Sequence, residues 1–180
     1  MGISRLIDGI VIRRMLSRDV ATRVKLLHDP DVMRNIVDVA AVESSENLEY
    51  GNRARLKKGW GDHLDFLFEK HDSTVVGFGW LADIDWVARR CEFSIAIIPE
   101  YRMGLGQVCY LAMMRFVFTQ LNLESIYCQV YETNRMMMTN DRLASGASVK
   151  AEGDVFVAGE WRTCYSWIES KTDFELAAVR

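Results

Sequence analysis

The sequence has 180 residues, with 22 Lys plus Arg against 25 Asp plus Glu and a formal net charge of −3. A chain of this length buries roughly 70% of its unfolded surface without disulfide or metal support, so we interpret residues 1–180 as one globular domain. The near-neutral charge excludes a polybasic nucleic-acid binder, whose affinity comes from neutralising phosphates.

The first 58 residues predict one strand and two helices, followed by a polar stretch. Residues 10–14 alternate as a strand does, and Ser17 is placed to cap a helix that continues to 27. A second, short helix is expected after Pro30. Residues 39–58 carry seven charged side chains and predict a solvated helix or loop.

The remaining elements alternate between strands and helices. Strand-like runs at 64–68, 75–82 and 91–98 predict an antiparallel meander, with a tight turn at 71–74 between the first two. A helix is expected at about 106–121 and a shorter one at about 134–144. Further strands are expected at 125–131, 155–157 and 161–168. This order predicts an α/β (α+β) protein with a mixed sheet and helices on its faces.

The cysteines and the apolar segments indicate the cellular compartment of the protein. The four cysteines have no Cys or His two to four residues away, so we expect buried free thiols and no metal site; they are Cys91, Cys109, Cys128 and Cys164. The N-terminal segment lacks the apolar core of a signal peptide, and no run reaches the ~20 apolar residues of a membrane span. We therefore expect a cytoplasmic protein that binds neither membrane nor nucleic acid.

The segment 92–107 carries the clearest chemical signal. A strand runs into Pro99, then into a turn that contains Gly104 and Gly106, and then into the longest predicted helix. Glycines permit close approach or a positive φ, and the unpaired N–H groups of a first helical turn favour a phosphate. Arg102 could add a charge-assisted contact. The segment therefore predicts an anion site.

Alternation along the preceding strand separates two faces. Phe93, Ile95 and Ile97 form an apolar face, whereas the other face carries a carboxylate and small side chains, at Glu92, Ser94, Ala96 and Ile98. Small side chains beside a phosphate turn leave room for an extended ligand along the strand. Glu92 lies at the end far from the phosphates, where it is placed for acid–base chemistry.

These residues resemble the GNAT superfamily of acyl-CoA-dependent N-acyltransferases, in the branch of ribosomal-protein N-terminal and small-molecule acetyltransferases. The family's acyl-CoA signature, Arg/Gln-x-x-Gly-x-Gly/Ala after a strand and Pro, is similar to Pro99-Glu-Tyr-Arg-Met-Gly-Leu-Gly106. The turn is one residue shorter than usual, so either Tyr101 or Arg102 occupies the first position. Residues 12–34 and 121–135 resemble the start of that branch and the strand after the cofactor helix.

The resemblance implies a mostly antiparallel sheet with a splay between the fourth and fifth predicted strands, and acetyl-CoA as co-substrate. It implies that backbone amides bind the CoA pyrophosphate, at Arg102, Met103, Gly104, Leu105, Gly106 and Gln107. It further implies that Ile97 and Ile98 pair with the pantetheine, which Asn134 also contacts. Glu92 matches the acidic position that helps to deprotonate the amine, and a backbone N–H of the splayed strand would stabilise the oxyanion.

One family feature is missing from the sequence. Relatives often carry a Tyr about seven residues after the Asn, as general acid for the leaving thiolate, but Asn140 and Asp141 occupy that region here. Tyr131 and Tyr101 are the candidates to replace it.

Other side chains allow two interpretations. Several aromatic residues either line an acceptor pocket or pack the core, namely Tyr50, Trp60, Phe78, Trp80 and Trp86. Asp83 and Asp85 either bind a cationic amine or are exposed loop carboxylates, and Met136 to Met138 are expected to pack a helix. The aromatic C-terminal hairpin, with Trp161, Tyr165 and Trp167, either mediates a homodimer or packs the core.

The leading hypothesis is an N-acetyltransferase that moves an acetyl group from acetyl-CoA to a primary amine in a ternary complex. The acceptor would be a small amine, an amino sugar or a protein N-terminus. A second hypothesis is a non-catalytic acyl-CoA-binding sensor or scaffold, suggested by the missing Tyr and the short turn. A nucleotide-binding domain of another kind fits poorly, because neither Gly-x-Gly-x-x-Gly nor a Walker Lys is present.

Overall fold

The computed structural model describes residues 4–7, 9–36, 43–59, 61–134, 137, 150–157 and 159–178. Its strands are β1 Ser4–Ile7, β2 Ile10–Arg14, β3 Leu64–Glu69, β4 Val75–Asp85, β5 Arg90–Ile97, β6 Ser125–Tyr131, β7 Lys150–Val157 and β8 Glu160–Ser170. Its helices are α1 Val20–Leu27, α2 Pro30–Asn35, α3 Ser45–Lys57, α4 Arg102–Thr119 and α5 Lys171–Ala178.

All the described strands lie in one sheet, in the order β1-β2-β3-β4-β5-β6-β8-β7. Each neighbouring pair is antiparallel except β5 and β6, which are parallel. The predicted mixed, mostly antiparallel sheet is therefore confirmed. Strand β1 and helix α5 were not predicted, since four residues at 4–7 and the mixed composition after 171 give no clear periodicity.

Helices cover both faces of the sheet, as predicted. On one face α4 and α5 pack on the larger apolar cluster, which includes Phe66, Phe93 and Phe118. On the other face α1, α2 and α3 pack on a second cluster that includes Leu67 and Phe78. Adjacent residues of β3 thus point into different clusters, because side chains alternate across a strand. Within the described chain, no helix is both long and apolar enough to cross a membrane.

The parallel strands β5 and β6 separate soon after they meet. Their paired residues are Arg90 with Ser125, Cys91 with Ile126 and Glu92 with Tyr127, and among the described residues the pairing stops there. Strand β5 continues to Ile97 and β6 to Tyr131 without pairing further. This wedge between β5 and β6 confirms the splay that the resemblance implied, and it opens toward the N-terminal end of α4.

Several local predictions need correction. Ser17 does not cap α1; it begins a 3-10 turn in which the Asp19 carboxylate accepts from Leu16 N–H at 2.7 Å. Helix α2 begins at Pro30 itself, and Asp29 caps it by accepting from the N–H groups of Asp31 and Val32. The helix predicted at about 134–144 lies almost wholly outside the described residues, as do Trp60, Met136, Met138, Asn140 and Asp141.

The four cysteines are free and buried, as predicted. Burial raises the pKa of Cys91 and of Cys109 to about 12, so both thiols are protonated at neutral pH. Cys91 and Cys109 pack as small apolar groups in the larger apolar cluster.

Candidate active site

A continuous cleft follows the wedge between β5 and β6. Its larger part, of about 1220 Å³, includes Ile95, Ile97, Arg102, Gly106, Gln107, Tyr110, Asn134 and much of α2 in its lining. Its smaller part, of about 170 Å³, reaches the closed end of the wedge and is lined by Glu92, Ser94, Trp80 and Tyr131 among others. The two parts share Asn35, Ile36, Ile95, Tyr110, Asn134 and Met137. An extended molecule therefore has one path from the α4 turn to Glu92.

The backbone of β5 offers hydrogen-bonding groups to the wedge at alternate residues. Ile98 N–H donates to the Val76 carbonyl at 2.9 Å, so Ile98 faces β4 and not the wedge. Because amide directions alternate along a strand, Phe93, Ile95 and Ile97 face the wedge. The predicted pairing of Ile98 with pantetheine is therefore corrected, because its N–H is already bonded to β4; the amides of Ile95 and Ile97 face the wedge.

The Gly104 turn lies at the open end of the cleft. A 3-10 turn at Pro99–Tyr101 leads into α4, and the helix is interrupted at Met103 and Gly104, where φ is −77° and +107°. The helical backbone resumes at Leu105, so the first N–H groups of this main segment lack intrahelical acceptors. Gly104 thus requires the positive φ that the sequence suggested. Gly106 is helical, and it borders the cleft.

The side chain of Arg102 is engaged elsewhere. Its Nε donates to the Ile97 carbonyl at 3.1 Å, and its two Nη atoms donate to Asp31 at 2.8 Å and Asp29 at 2.5 Å. A guanidinium held by two carboxylates has little charge left for a phosphate. The expected Arg102 side-chain contact is therefore corrected, whereas the backbone cradle remains available.

Glu92 lies at the closed end of the wedge, at the last position where β5 pairs with β6. Partial burial raises the pKa of Glu92 above its usual range, and the charge of Asp83 raises this pKa further. Asp83 follows the β4 residue that pairs with Glu92, and it takes a left-handed φ of 48°. A carboxylate with a raised pKa is a stronger base, as deprotonation of an ammonium requires.

Tyr131 lines the same small part of the cleft as Glu92. Its side chain is buried against Val155, Val157 and Cys164. Burial raises the pKa of Tyr131, and the Cys164 and Glu92 side chains raise this pKa further. The hydroxyl is therefore protonated at neutral pH and can donate a proton or a hydrogen bond.

Most of the other predicted side chains lie outside the cleft. Tyr101, the second candidate acid, packs under Lys70, whose Nζ lies 4.3 Å from the ring centroid, and it does not line the cleft. Asp85 accepts from Val87 and Ala88 N–H and so shapes a turn. Trp80 borders the cleft near Glu92, whereas Tyr50 is exposed and Phe78 is in the core.

Asn134 borders both parts of the cleft, at the end of β6. Its N–H donates to the Tyr131 carbonyl at 2.9 Å, and its side-chain oxygen accepts from Met137 N–H at 3.4 Å. The structure therefore places Asn134 beside the cleft, and its contact with pantetheine stays a prediction.

Sequence reasoning missed Tyr110, which lines both parts of the cleft from α4. Its hydroxyl donates to the buried Glu169 carboxylate at 3.2 Å, and the Trp167 indole N–H donates to the same oxygen at 3.2 Å. One signal was available, because residue 110 lies one helical turn after Gly106 on the same face. Asn35 and Ile36 were also missed, and no local pattern points to them.

Comparison with known proteins identifies a family and several relatives. Residues 10–139 match the family model described as an acetyltransferase (GNAT) domain. Spermidine N(1)-acetyltransferase of Escherichia coli (strain K12) is 30% identical over 144 residues, which cover 65% of this chain and 77% of that protein. The Vibrio cholerae enzyme of the same name is 25% identical over 118 residues, which cover 62% of this chain and only 65% of that protein.

Two solved structures share the fold. The Vibrio cholerae spermidine N-acetyltransferase in complex with CoA and spermine superposes with a TM-score of 0.78 at 20% identity, covering 94% of this chain and 99% of that one. A dodecameric structure of that enzyme in an intermediate state superposes with a TM-score of 0.72 at 20% identity, covering 93% and 97%.

Proposed function

The chain belongs to the GNAT family of acyl-CoA-dependent acetyltransferases, and from that premise we propose that it transfers the acetyl group of acetyl-CoA to a primary amine by direct attack in a ternary complex. One observation carries the proposal. The wedge between β5 and β6 joins a glycine turn at its open end to a carboxylate with a raised pKa at its closed end.

The open end suits the phosphates of acetyl-CoA. Backbone N–H groups at Leu105, Gly106 and Gln107 begin the main helical segment of α4, where the helix dipole also favours negative charge. Above Gly106 the space is open, since a Cβ built there would meet only Ile97 Cγ1, at 3.8 Å. The wedge-facing amides of Ile95 and Ile97 then supply partners for the pantetheine.

The closed end suits the transfer itself. Glu92 takes a proton from the ammonium, directly or through water, which frees the nitrogen lone pair to attack the thioester carbonyl carbon. The N–H of Ile95 or Phe93 is directed into the wedge, where it can stabilise the oxyanion. As the carbon–sulfur bond breaks, the Tyr131 hydroxyl protonates the departing thiolate, which replaces the helix Tyr that the sequence lacks.

The charge near Glu92 favours a cationic acceptor. Asp83 lies close enough to Glu92 for its charge to raise the pKa of Glu92, so two carboxylates favour positive charge at this end of the cleft. A polyamine carries several ammonium groups, and relatives of this chain are named as spermidine acetyltransferases. We therefore propose a polyamine-like amine ahead of an amino sugar or a protein N-terminus.

The first experiment is calorimetric titration with acetyl-CoA and CoA, repeated on Gly104→Glu, which puts bulk and negative charge into the cradle. We expect binding by the unmodified chain and its loss in the variant. Turnover is then measured with spermidine, an amino sugar and a peptide N-terminus, with Glu92→Gln as control. CoA binding without turnover on any amine would favour the sensor hypothesis, and absence of CoA binding would refute both.

Self-association remains a proposal. Tyr165 and Trp167 pack against the main apolar cluster, so they do not form a free surface. Trp161 is 69% exposed and contacts the exposed Phe156 ring edge-on at 5.5 Å. Sedimentation of the unmodified chain and of Trp161→Ser tests whether this pair at the tip of the β7–β8 hairpin contributes to a homodimer.

A further inference from the structure

Helix α2 forms a wall of the cleft along its whole length. Val32, Asn35 and the following residue, Ile36, border the larger part, and Asn35 and Ile36 continue into the smaller part near Glu92. The helix has only six residues. An isolated helix of that length is not stable in water, so tertiary contacts must hold α2 in place.

Arg102 holds the N-terminal end of α2. Its two ion pairs join Asp29, the residue that caps α2, and Asp31 in the first turn, at 2.5 and 2.8 Å. The third bond of the guanidinium goes to the Ile97 carbonyl, at the end of β5. One side chain therefore ties α2 to the strand and to the helix that form the cofactor end of the cleft.

Arg162 holds the C-terminal end of α2. This residue of β8 is 5% exposed, and its Nη1 donates to the Arg34 carbonyl and, at 3.5 Å, to Thr133 Oγ1. Thr133 in turn donates to the Asn35 side-chain oxygen at 3.0 Å. This second set of contacts ties α2 to the end of β6 and to β8, on the other side of the wedge.

We propose that Arg102 and Arg162 are positioning residues that clamp the two ends of α2 across the mouth of the wedge, so that α2 forms a fixed wall of the acceptor site. The acceptor part of this inference rests on the proposed function. Arg102 acts here through α2 and leaves the phosphates to the backbone. The clamp also sets the distance across the wedge, because Arg102 joins α2 to the end of β5, whereas Arg162 joins α2 to β8 and to Thr133 just after β6.

The test compares Arg102→Gln with the double variant Asp29→Asn, Asp31→Asn. Asn caps a helix about as well as Asp, so the double variant removes the ion pairs and keeps the cap. Hydrogen exchange of the peptide that covers 30–36 should accelerate about tenfold or more in both, the change that loss of a charge-assisted hydrogen bond produces. Combining all three substitutions should add little, because Arg102→Gln and the double variant remove opposite partners of the same two ion pairs.

Binding measurements separate the clamp from a phosphate ligand. Under the clamp, Arg102→Gln raises KM for the amine and changes the Kd of CoA less than about threefold, since the backbone cradle is intact. A rise of tenfold or more in that Kd, with exchange of α2 unchanged, would overturn the proposal. Exchange and CoA calorimetry need no turnover, so they test the clamp even if no acetyl transfer is found.

The contacts at the C-terminal end of α2 are tested with a mild variant, because loss of the buried Arg162 side chain could prevent folding. Thr133→Val keeps the shape of the side chain and removes its bonds to Arg162 and Asn35. It should accelerate exchange at 33–36 and raise KM for the amine. Arg53→Gln is the matched control for Arg102→Gln. Like Arg102, Arg53 donates to a carboxylate (Glu49) and to a backbone carbonyl (Ser17), but it lies away from the cleft. Because this variant keeps the Arg162 bond to the Arg34 carbonyl, unchanged exchange of α2 in Thr133→Val would refute the part of the second clamp that runs through Thr133.

Discussion

Gly104 and Gly106 are two residues apart, and the structure predicts opposite effects of the same substitution. Gly104 has a φ of +107°, whereas Gly106 has helical backbone angles. A built Cβ meets nothing within 4 Å at Gly104, and at Gly106 it meets only Ile97 Cγ1, at 3.8 Å. Crowding is therefore absent at both positions, and backbone conformation alone separates them.

The magnitudes follow from that difference. Alanine at a positive φ costs about 1–3 kcal/mol, so Gly104→Ala should lower the free energy of unfolding by that amount. Alanine in a helix is more favourable than glycine by about 0.5–1 kcal/mol, so Gly106→Ala should raise it. For a domain of this size about 1 kcal/mol shifts Tm by roughly 2–4 °C. Gly104→Ala should therefore melt about 2–12 °C lower, and Gly106→Ala about 1–4 °C higher.

Thermal unfolding of the ligand-free variants, followed by circular dichroism, measures both shifts. Shifts of the same sign would refute the assigned backbone conformations. CoA titration then adds a functional comparison. Gly104→Ala should weaken CoA binding together with stability, because it distorts the turn that aims the N–H groups. Gly106→Ala should retain binding, since the family signature accepts Ala at this position.

Further predictions concern Glu92, Tyr131 and the pairing of β4 with β5. Glu92→Gln should lower kcat by about 10²–10⁴-fold and leave CoA binding intact, and kcat of the unmodified chain should rise with pH through the raised pKa of Glu92. The pKa of Glu92 in the folded chain is above its unfolded value of about 4.3, so ionisation of Glu92 lowers the free energy of unfolding as the pH rises. Glu92→Gln should therefore raise Tm at pH 7. This increase in Tm should vanish below about pH 4, where Glu92 is protonated in both the folded and the unfolded chain. Tyr131→Phe should lower kcat by up to about 10²-fold with little change in stability, and an unchanged kcat would exclude Tyr131 as the acid. Gly77→Ala should destabilise by about 1–3 kcal/mol in urea titration, because its Cβ would lie 2.5 Å from the Ala96 carbonyl oxygen and push β5 away from β4; a cost near zero would contradict this register.

Much of the fold could be predicted from local pattern. The meander, the cofactor helix and β6 lie within a few residues of the predicted bounds, because the spacing of apolar residues along the chain differs between strands and helices. The family signature added the splay, which periodicity cannot show. The missed elements are the short edge strand β1 and the terminal helix α5, whose stability comes from the neighbours they pack on.

The residues of the candidate site also divide into those that local sequence pattern predicts and those that depend on tertiary structure. Gly104 and Glu92 could be found from sequence, because a positive φ demands glycine and alternation along a strand is a local property. The hydrogen-bonding direction of Ile98 could not, because it depends on the register between β4 and β5. A shift of one residue in that register would have turned Ile98 toward the wedge and Ile97 away.

The sequence by itself determined the family and predicted both the phosphate-binding turn and Glu92 as the candidate base, since each rests on residues that are neighbours along the chain. Only the tertiary structure decided what Arg102 does, because its partners Asp29 and Asp31 lie more than 70 positions away. The same holds for Tyr131, which lines the same part of the cleft as Glu92 only because β5 and β6 pair at their start and then separate. Contacts between distant segments depend on how the sheet and its helices close on one another, and no local pattern encodes that geometry.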